Sequence, residues 1–320
     1  YYPTHLWKGE QKVSLDNIVP NEDATGAGIS TNKLTYTHDL IFQEAMQFVK
    51  AHTGQPFFLY LPLTIPHANN EAKGKGMEVP SLGDYAAKDW PAPQKAHAAM
   101  ISHMDRDIGR LFHQLQTLQI EEDTMVFFTS DNGPHKEGGN DPEFNDSNGP
   151  LRGIKRSLHE GGIRVPMIVK WPQQGKKDSI CDEPVISTDF YPTILEMIGL
   201  PYDSKKIDGK SITPLVKGKK MDRGPIYWHF PHYSNHGMQS PGGAIRDGDY
   251  KLLEYFENGT VQLFNLAKDI GEHKDLAKIE IEKTKELTGK LHRWRKQVGA
   301  QMMKPNPNYD PATDLWSGKK

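Results

Sequence analysis

Four adjacent residues, Ser130-Asp131-Asn132-Gly133, place a carboxylate beside an amide directly after an apolar run. Their side-chain oxygens are hard donors, which are the ligands that Ca²⁺ and Mg²⁺ prefer in proteins. The triplet Asp-Asn-Gly is also typical of an ordinary tight turn. Two oxygen donors are too few for Ca²⁺, which takes roughly six to eight. These residues alone therefore leave both a metal site and a turn open.

Two further side chains, His67 and Lys155, are candidate functional groups. His67, in Pro66-His67, follows the apolar run 57–61 by a few residues. A lone histidine is usually structural or exposed, but a position just after a predicted strand favours a functional group. Lys155 precedes Glu160-Gly161-Gly162 and suits an anionic group as a compact charge. The alternative for Lys155 is a solvated loop lysine, one of 39 basic residues. The Glu160-Gly161-Gly162 segment is interpreted as shaping the backbone rather than reacting.

Histidine and cysteine patterns give weaker indications. His229, His232 and His236 lie close together in sequence, which is compatible with zinc. Their spacing is not helical and no further ligand is near, so a surface or substrate-facing cluster is the alternative. The single cysteine, Cys181, excludes an internal disulfide and a multi-cysteine metal site, and it has no obvious catalytic neighbours.

The elements that must position these side chains follow an α/β order. Strand, helix, strand, long loop, strand and helix are typical of a parallel or mixed sheet covered by helices. Functional loops in such sheets leave the carboxyl ends of strands, as the polar loops after Leu61 and Thr129 do. Apolar spacing predicts helices at 31–52, 101–118 and 189–198, and apolar runs predict strands at 57–61, 124–129, 165–171 and 185–186.

The pattern changes after residue 222. Short strand-like runs are predicted at 226–230, 243–246, 250–256 and 261–265. They are joined by turns such as Glu257-Asn258-Gly259, and an Asn-Gly turn between such runs is a strong hairpin signal. A charged helix is predicted over 279–298, followed by a proline-rich tail. The sequence therefore predicts an α/β domain over 1–222 and a smaller antiparallel subdomain over 223–320.

Composition excludes two classes of partner. The chain has 320 residues, with 39 Lys and Arg against 41 Asp and Glu, a formal net charge of −2. This balance gives no reason to expect a nucleic acid or an anionic membrane as partner. No apolar run approaches the roughly 20 residues that cross a bilayer. We therefore predict no nucleic-acid partner and no membrane span.

Taken together and in order, these motifs closely resemble the formylglycine-dependent sulfatases. The resemblance is to the branch of arylsulfatase A and N-acetylgalactosamine-6-sulfatase, and it spans nearly the whole chain. The segments that carry it are 57–61 with Pro66-His67, 127–133, Lys155 with 160–166, 188–195 and 244–252.

The resemblance implies a fold and an activity. The fold is an alkaline-phosphatase-like mixed sheet covered by helices, with a smaller C-terminal antiparallel α+β subdomain. The activity is hydrolysis of sulfate esters, expected on a sulfated saccharide, with Ca²⁺ and formylglycine as cofactors. Family habit places the protein in the periplasm or outside the cell.

The resemblance also implies roles for individual residues. Asp131 and Asn132 would be metal ligands. His67 and Lys155 would contact the sulfate as catalytic groups, and Lys155 would stabilise negative charge that develops on the ester oxygens. Further substrate contacts are expected from Arg152, His229 and His232.

The sequence lacks three segments of the family pattern. It has no Cys/Ser-x-Pro/Ala-x-Arg segment from which formylglycine is made, and Cys181 lacks that pattern. The Asp pair that completes the Ca²⁺ site and a Gly-Lys-x-His segment are also absent. In the family these segments lie upstream, so we expect the C-terminal two-thirds of a sulfatase, inactive by itself.

Two alternatives remain open. One is a non-catalytic relative or fragment that binds sulfated glycans. The other is a phosphate or phosphonate monoesterase of the same superfamily. A Cys/Ser-x-Pro-x-Arg segment ahead of Tyr1 would support the sulfatase, and its absence would support the binding protein.

Overall fold

The computed structural model describes residues 1–24, 26–234 and 239–310. The chain divides into two units. The first unit contains residues 1–125 and 135–147, and the second contains residues 126–134 and the chain from 148 onward. The two-domain division predicted at residue 222 stays a prediction.

The first unit begins with a hairpin that the sequence did not predict. Strand β1 (His5–Lys8) pairs antiparallel with β2 (Gln11–Ser14), and Gly9 adopts φ +61° in the turn between them. The residues of β2 are all exposed, so no apolar alternation marks the strand. Backbone pairing rather than burial therefore defines this hairpin.

Two helices form the body of the first unit. Helix α1 (Thr37–Ala51) buries the stripe that includes Phe42 and Val49, as its spacing predicts. Helix α2 (Ala92–Thr117) begins nine residues before the predicted start at 101. The first turn contains a proline, which is tolerated there because N–H groups of the first turn have no acceptor within the helix. The helix can therefore begin ahead of the apolar spacing that predicted it. The helices are tied by Gln114, whose side-chain amide donates to the Met46 carbonyl at 2.8 Å.

Residues 57–61 are not the strand that their apolar run predicts. No strand within the described residues pairs with them, and Phe58 and Tyr60 are 69% and 76% exposed. An apolar run indicates a tendency to be buried, but a strand also requires a hydrogen-bonding partner. The short strand predicted at 185–186 is likewise absent from the described structure.

The second unit begins with two paired strands around the motif segments. Strand β3 (Val126–Thr129) pairs antiparallel with β4 (Met167–Lys170), and the short helix α3 (Glu160–Ile163) precedes β4. Helices α4 (Phe190–Met197) and α5 (Thr213–Val216) follow. The strands predicted at 124–129 and 165–171 are thus present, although their mutual pairing is antiparallel.

A four-stranded antiparallel sheet and one helix complete the second unit. The strands are β5 (Ile226–Phe230), β6 (Gly242–Asp247), β7 (Tyr250–Tyr255) and β8 (Val261–Asn265), paired in that order. The turn between β7 and β8 contains Gly259 at φ +68°, which confirms the Asn-Gly hairpin. Helix α6 (Ile281–Gln297) follows, close to the predicted 279–298.

This sheet is buried on both faces. Because successive side chains of a strand point to opposite faces, Ile245 and Ala244 belong to different cores. Ile245 packs in a cluster with Leu287 and Leu291 of α6, which covers one face. Ala244 packs in a second cluster with Leu158, from the segment before α3. The sheet therefore anchors the segment that carries Lys155 and Glu160.

Candidate functional site

The segment after β3 presents the two predicted metal ligands at the surface. Asp131 is exposed, and among the described residues its carboxylate makes no hydrogen bond or ion pair. The Asn132 side-chain NH₂ donates to the Gly133 carbonyl at 2.8 Å, which leaves its amide oxygen as the acceptor. Two neighbouring residues thus each offer a hard oxygen, and this donor set fits Ca²⁺ or Mg²⁺.

Glycines hold this segment against α3. The Gly133 N–H donates to the Gly162 carbonyl at 3.0 Å. A Cβ at Gly133 would lie 1.8 Å from the Gly161 carbonyl oxygen, and a Cβ at Gly162 would lie 2.2 Å from that of Ser157. Because no side chain fits at these contacts, the backbone packing itself requires glycine. The sequence interpretation of Gly161-Gly162 as shaping the backbone agrees with this geometry.

Lys155 is brought to the same segment. Its backbone N–H donates to the Pro134 carbonyl at 2.8 Å, two residues beyond Asn132. Lys155 is half-buried. The second unit therefore gathers Asp131, Asn132 and the Lys155 backbone into one group of adjoining loops.

A buried ion cluster anchors α3 beneath these loops. The carboxylate of Glu160 accepts from Lys251 Nζ at 2.9 Å and from Arg164 Nε at 2.6 Å. The Glu160 N–H in turn donates to a carboxylate oxygen of Glu272 at 2.6 Å. Burial opposes ionisation of Glu160, but Lys251 and Arg164 outweigh it and lower the pKa of its carboxyl. Sequence inspection did not predict the contacts of Glu160 with Lys251 and Glu272, because these residues lie 91 and 112 positions away from it.

Arg152 and His159 flank this cluster. The Arg152 Nη1 donates to the Glu272 carbonyl at 2.9 Å, while the side chain remains exposed. His159 is buried, and its pKa is lowered to about 3, first by burial and then by the charges of Arg152 and Lys251. His159 is therefore a neutral imidazole at neutral pH, which the sequence interpretation missed.

His67 lies in the first unit and is held at both ring nitrogens. Its Nδ1 lies 2.8 Å from the Ala68 carbonyl oxygen, and its Nε2 lies 3.2 Å from Glu137 Oε2. Both neighbours are acceptors, so both ring nitrogens have a group to which they can donate. Glu137 is buried, whereas the His67 side chain is 40% exposed. Glu137 is thus a partner that sequence inspection did not suggest.

His229 and His232 lie at and just beyond the end of β5. The Nε2 of His229 is 2.7 Å from the Gln301 carbonyl, and its ring packs on Phe256. His232 is exposed and its ring contacts Phe230. His236, the third member of the predicted cluster, lies outside the described residues. The contacts of these two histidines in the described structure are with backbone and aromatic rings.

Comparison with known proteins gives consistent family matches. Residues 4–200 match the family described as Sulfatase, and residues 154–300 match the family described as N-sulphoglucosamine sulphohydrolase, C-terminal. A sulfatase from Formosa agariphila is 31% identical over 252 residues, which cover 71% of this chain and 43% of that protein. Human N-acetylgalactosamine-6-sulfatase is 32% identical over 193 residues, covering 59% of this chain and 34% of that protein.

A solved structure agrees with these matches. The crystal structure of Ps i-CgsB in complex with k-i-k-neocarrahexaose has a TM-score of 0.68 and 28% identity, and the match covers 83% of this chain and 56% of that chain. The predicted alkaline-phosphatase-like α/β fold with a C-terminal antiparallel sheet is thus confirmed. The chain spans half or less of the length of the two sequence relatives. From the family matches and the order of its motifs, the chain belongs to the sulfatase family.

Proposed function

We propose that the protein carrying this chain hydrolyses sulfate esters of a saccharide. The observation that carries the proposal is the packing of the Asp131-Asn132 segment against the Lys155 loop within a chain of the sulfatase family. The saccharide is supported by two relatives, since one is named N-acetylgalactosamine-6-sulfatase and the other is described in complex with a neocarrahexaose. The family resemblance also supports an arylsulfatase-like enzyme that is periplasmic or secreted.

Asp131 and Asn132 are the proposed ligands of Ca²⁺. Their donor set is a carboxylate oxygen without a partner among the described residues and an amide oxygen whose NH₂ is already engaged. Such hard oxygens fit this ion, and the further oxygens that it needs are proposed to come from elsewhere in the protein. Bound Ca²⁺ would supply positive charge to the sulfate oxygens, and a formylglycine would supply the nucleophile.

Lys155 is the proposed stabiliser of charge on the ester oxygens. A half-buried ammonium interacts with a developing anion more strongly than one in bulk water, because the surrounding medium screens it less. The Pro134 hydrogen bond fixes the backbone from which this side chain extends. Arg152 is also proposed to contact the substrate, with one nitrogen held by Glu272 and four guanidinium N–H groups remaining.

Three histidines are proposed to contact the substrate. His67 is proposed to contact the sulfate, with Glu137 and the Ala68 carbonyl fixing its ring orientation. His229 and His232 are also proposed to contact the saccharide, and their rings contact Phe256 and Phe230.

The test is sulfate release by the full-length protein and its variants. Lys155→Ala is expected to lower kcat by about 100-fold or more, the usual effect of removing one charge-stabilising group. Lys205→Ala, at an exposed lysine, is the matched control and is expected to leave kcat unchanged. Asp131→Asn is expected to raise the Ca²⁺ concentration needed for half-maximal activity.

Three outcomes would contradict the proposal. Binding of sulfated saccharides without sulfate release would indicate the non-catalytic alternative. Faster turnover of phosphate or phosphonate monoesters than of sulfate esters would indicate the monoesterase alternative. Full activity of Lys155→Ala would remove Lys155 from the chemistry.

A further inference from the structure

We propose that His38, Asp39, His103 and Asp107 form a binding site for a divalent transition metal, with Zn²⁺ as the ion to test. The four residues lie in the first unit, on α1 and α2. None of them has a role in the proposed hydrolysis. The inference therefore stands or falls independently of the sulfatase activity.

The ligand atoms are spaced as in a coordination shell. Asp107 Oδ2 lies 3.1 Å from His38 Nε2 and 3.4 Å from His103 Nε2. The three atoms all lie within 4.8 Å of one another. Tetrahedral Zn²⁺ with bonds of about 2.0–2.1 Å separates its ligand atoms by about 3.3 Å. An ion can thus enter this group with small side-chain movements.

A fourth donor stands at the rim of the group. Asp39 Oδ1 lies 2.6 Å from His103 Nε2, and the Asp39 side chain is 53% exposed. Rotation of this carboxylate would complete a four-coordinate shell, and its exposure gives the ion a path of entry. The complete set has two nitrogen and two oxygen donors.

The helices account for the arrangement. His103 and Asp107 are four residues apart on α2 and therefore lie on one face. His38 and Asp39 are in the first turn of α1, which packs against that face. An ion bound here would join the two helices. Sequence inspection missed the group because His38 and Asp107 are 69 residues apart.

Two neighbouring arginines orient the Asp107 carboxylate. Its Oδ1 is occupied by Arg110 Nη1 at 3.0 Å and faces Arg106 Nε at 3.4 Å. The Oδ2 atom is thereby directed to the two imidazoles, as outer partners commonly orient a ligating carboxylate. Asp107 is 1% exposed, so little water competes for this oxygen.

The donor type indicates the class of ion. A neutral imidazole is the form that ligates a metal. Imidazole with carboxylate suits Zn²⁺, Co²⁺, Ni²⁺ or Cu²⁺, whereas Ca²⁺ prefers oxygen alone. This group therefore differs in chemistry from the proposed Ca²⁺ site at Asp131.

Cobalt and zinc titrations of the full-length protein test the proposal. After chelator treatment, we expect one Co²⁺ to bind with the strong visible absorption of a tetrahedral site and to be displaced by Zn²⁺. An all-oxygen site gives only weak bands, so the spectrum separates the two sites. The variant His103→Gln is expected to lower Co²⁺ affinity by at least about 100-fold. His113→Gln, at an exposed position of α2, is the matched control and is expected to leave the affinity unchanged.

A second variant separates the loss of metal binding from a loss of folding. Asp39→Asn lies at an exposed position and is expected to weaken Co²⁺ binding while the melting temperature without metal stays near that of the unaltered protein. The proposal is overturned if no tetrahedral spectrum appears, or if His103→Gln binds Co²⁺ like the control. The group would then be a hydrogen-bonded His–Asp–His cluster.

Discussion

Replacement of Lys251 by Met tests whether the buried ion cluster holds α3 and the adjoining loops in place. Lys251, in β7, is 0% exposed, and its Nζ lies 2.9 Å from one carboxylate oxygen of Glu160 and 2.9 Å from one of Glu272. Methionine nearly matches the length of the aliphatic chain. The change therefore removes the charge and leaves most of the packing.

The size of the effect follows from which carboxylate loses its partner. Removing one member of a buried ion pair typically costs 3–5 kcal/mol. Glu160 keeps Arg164 at 2.6 Å and Arg246 at 3.5 Å, so it remains compensated. Glu272 loses the cation that compensates its charge, and burial already raises the pKa of its carboxyl. Because Glu272 can take up a proton, we expect a loss near the lower limit, about 3 kcal/mol in the free energy of unfolding.

Urea unfolding at neutral pH measures this loss. The matched control is Lys285→Met, in which a lysine that is 68% exposed loses a surface partner, Glu282, at 2.9 Å. This change is expected to cost less than about 1 kcal/mol, as exposed ion pairs do. The double variant Lys251→Met with Glu272→Gln is expected to recover part of the loss, because the uncompensated charge is removed.

The change of this loss with pH tests whether Glu272 is its cause. With Lys251 absent, the pKa of Glu272 rises further above its unfolded value, so the folded state favours the protonated carboxyl. The loss in free energy of unfolding caused by Lys251→Met is then largest at high pH, and it shrinks as the pH falls toward about 4.5. A Lys251→Met deficit no larger than that of Lys285→Met would refute the anchoring argument, and a deficit that grows on acidification would refute its assignment to Glu272.

Two other predictions concern the glycine packing and a buried histidine. Gly162→Ala places a Cβ 2.2 Å from the Ser157 carbonyl oxygen, so we expect a loss of about 2 kcal/mol or more in urea unfolding, whereas Gly289→Ala in α6 is expected to be neutral or stabilising. The pKa of His97 is lowered to about 4 by burial and then by His135, so its neutral form contributes stability above pH 6.5. That contribution is lost as the pH falls from 6.5 to about 4, by roughly 1.4 kcal/mol per pH unit, and the measured slope is expected to be shallower in His97→Gln. An unchanged slope in His97→Gln, or unaltered stability of Gly162→Ala, would contradict these accounts.

Local sequence patterns determined much of the second unit. The strands of the C-terminal sheet and α6 were predicted within a few residues, because apolar runs and the Asn258-Gly259 turn act over short distances. The position of Asp131 directly after β3 was also visible in the sequence. The family resemblance rested on the order of such local motifs.

Tertiary structure alone decided the contacts between distant residues. Pairing of Lys251 with Glu160, Glu137 with His67, and His38 with Asp107 joins positions about 70 to 90 residues apart. It also decided that 57–61 has no strand partner among the described residues. The physical reason is that periodicity and turn chemistry reflect local backbone preferences, whereas partners of buried charges and strands are chosen by packing of the folded chain.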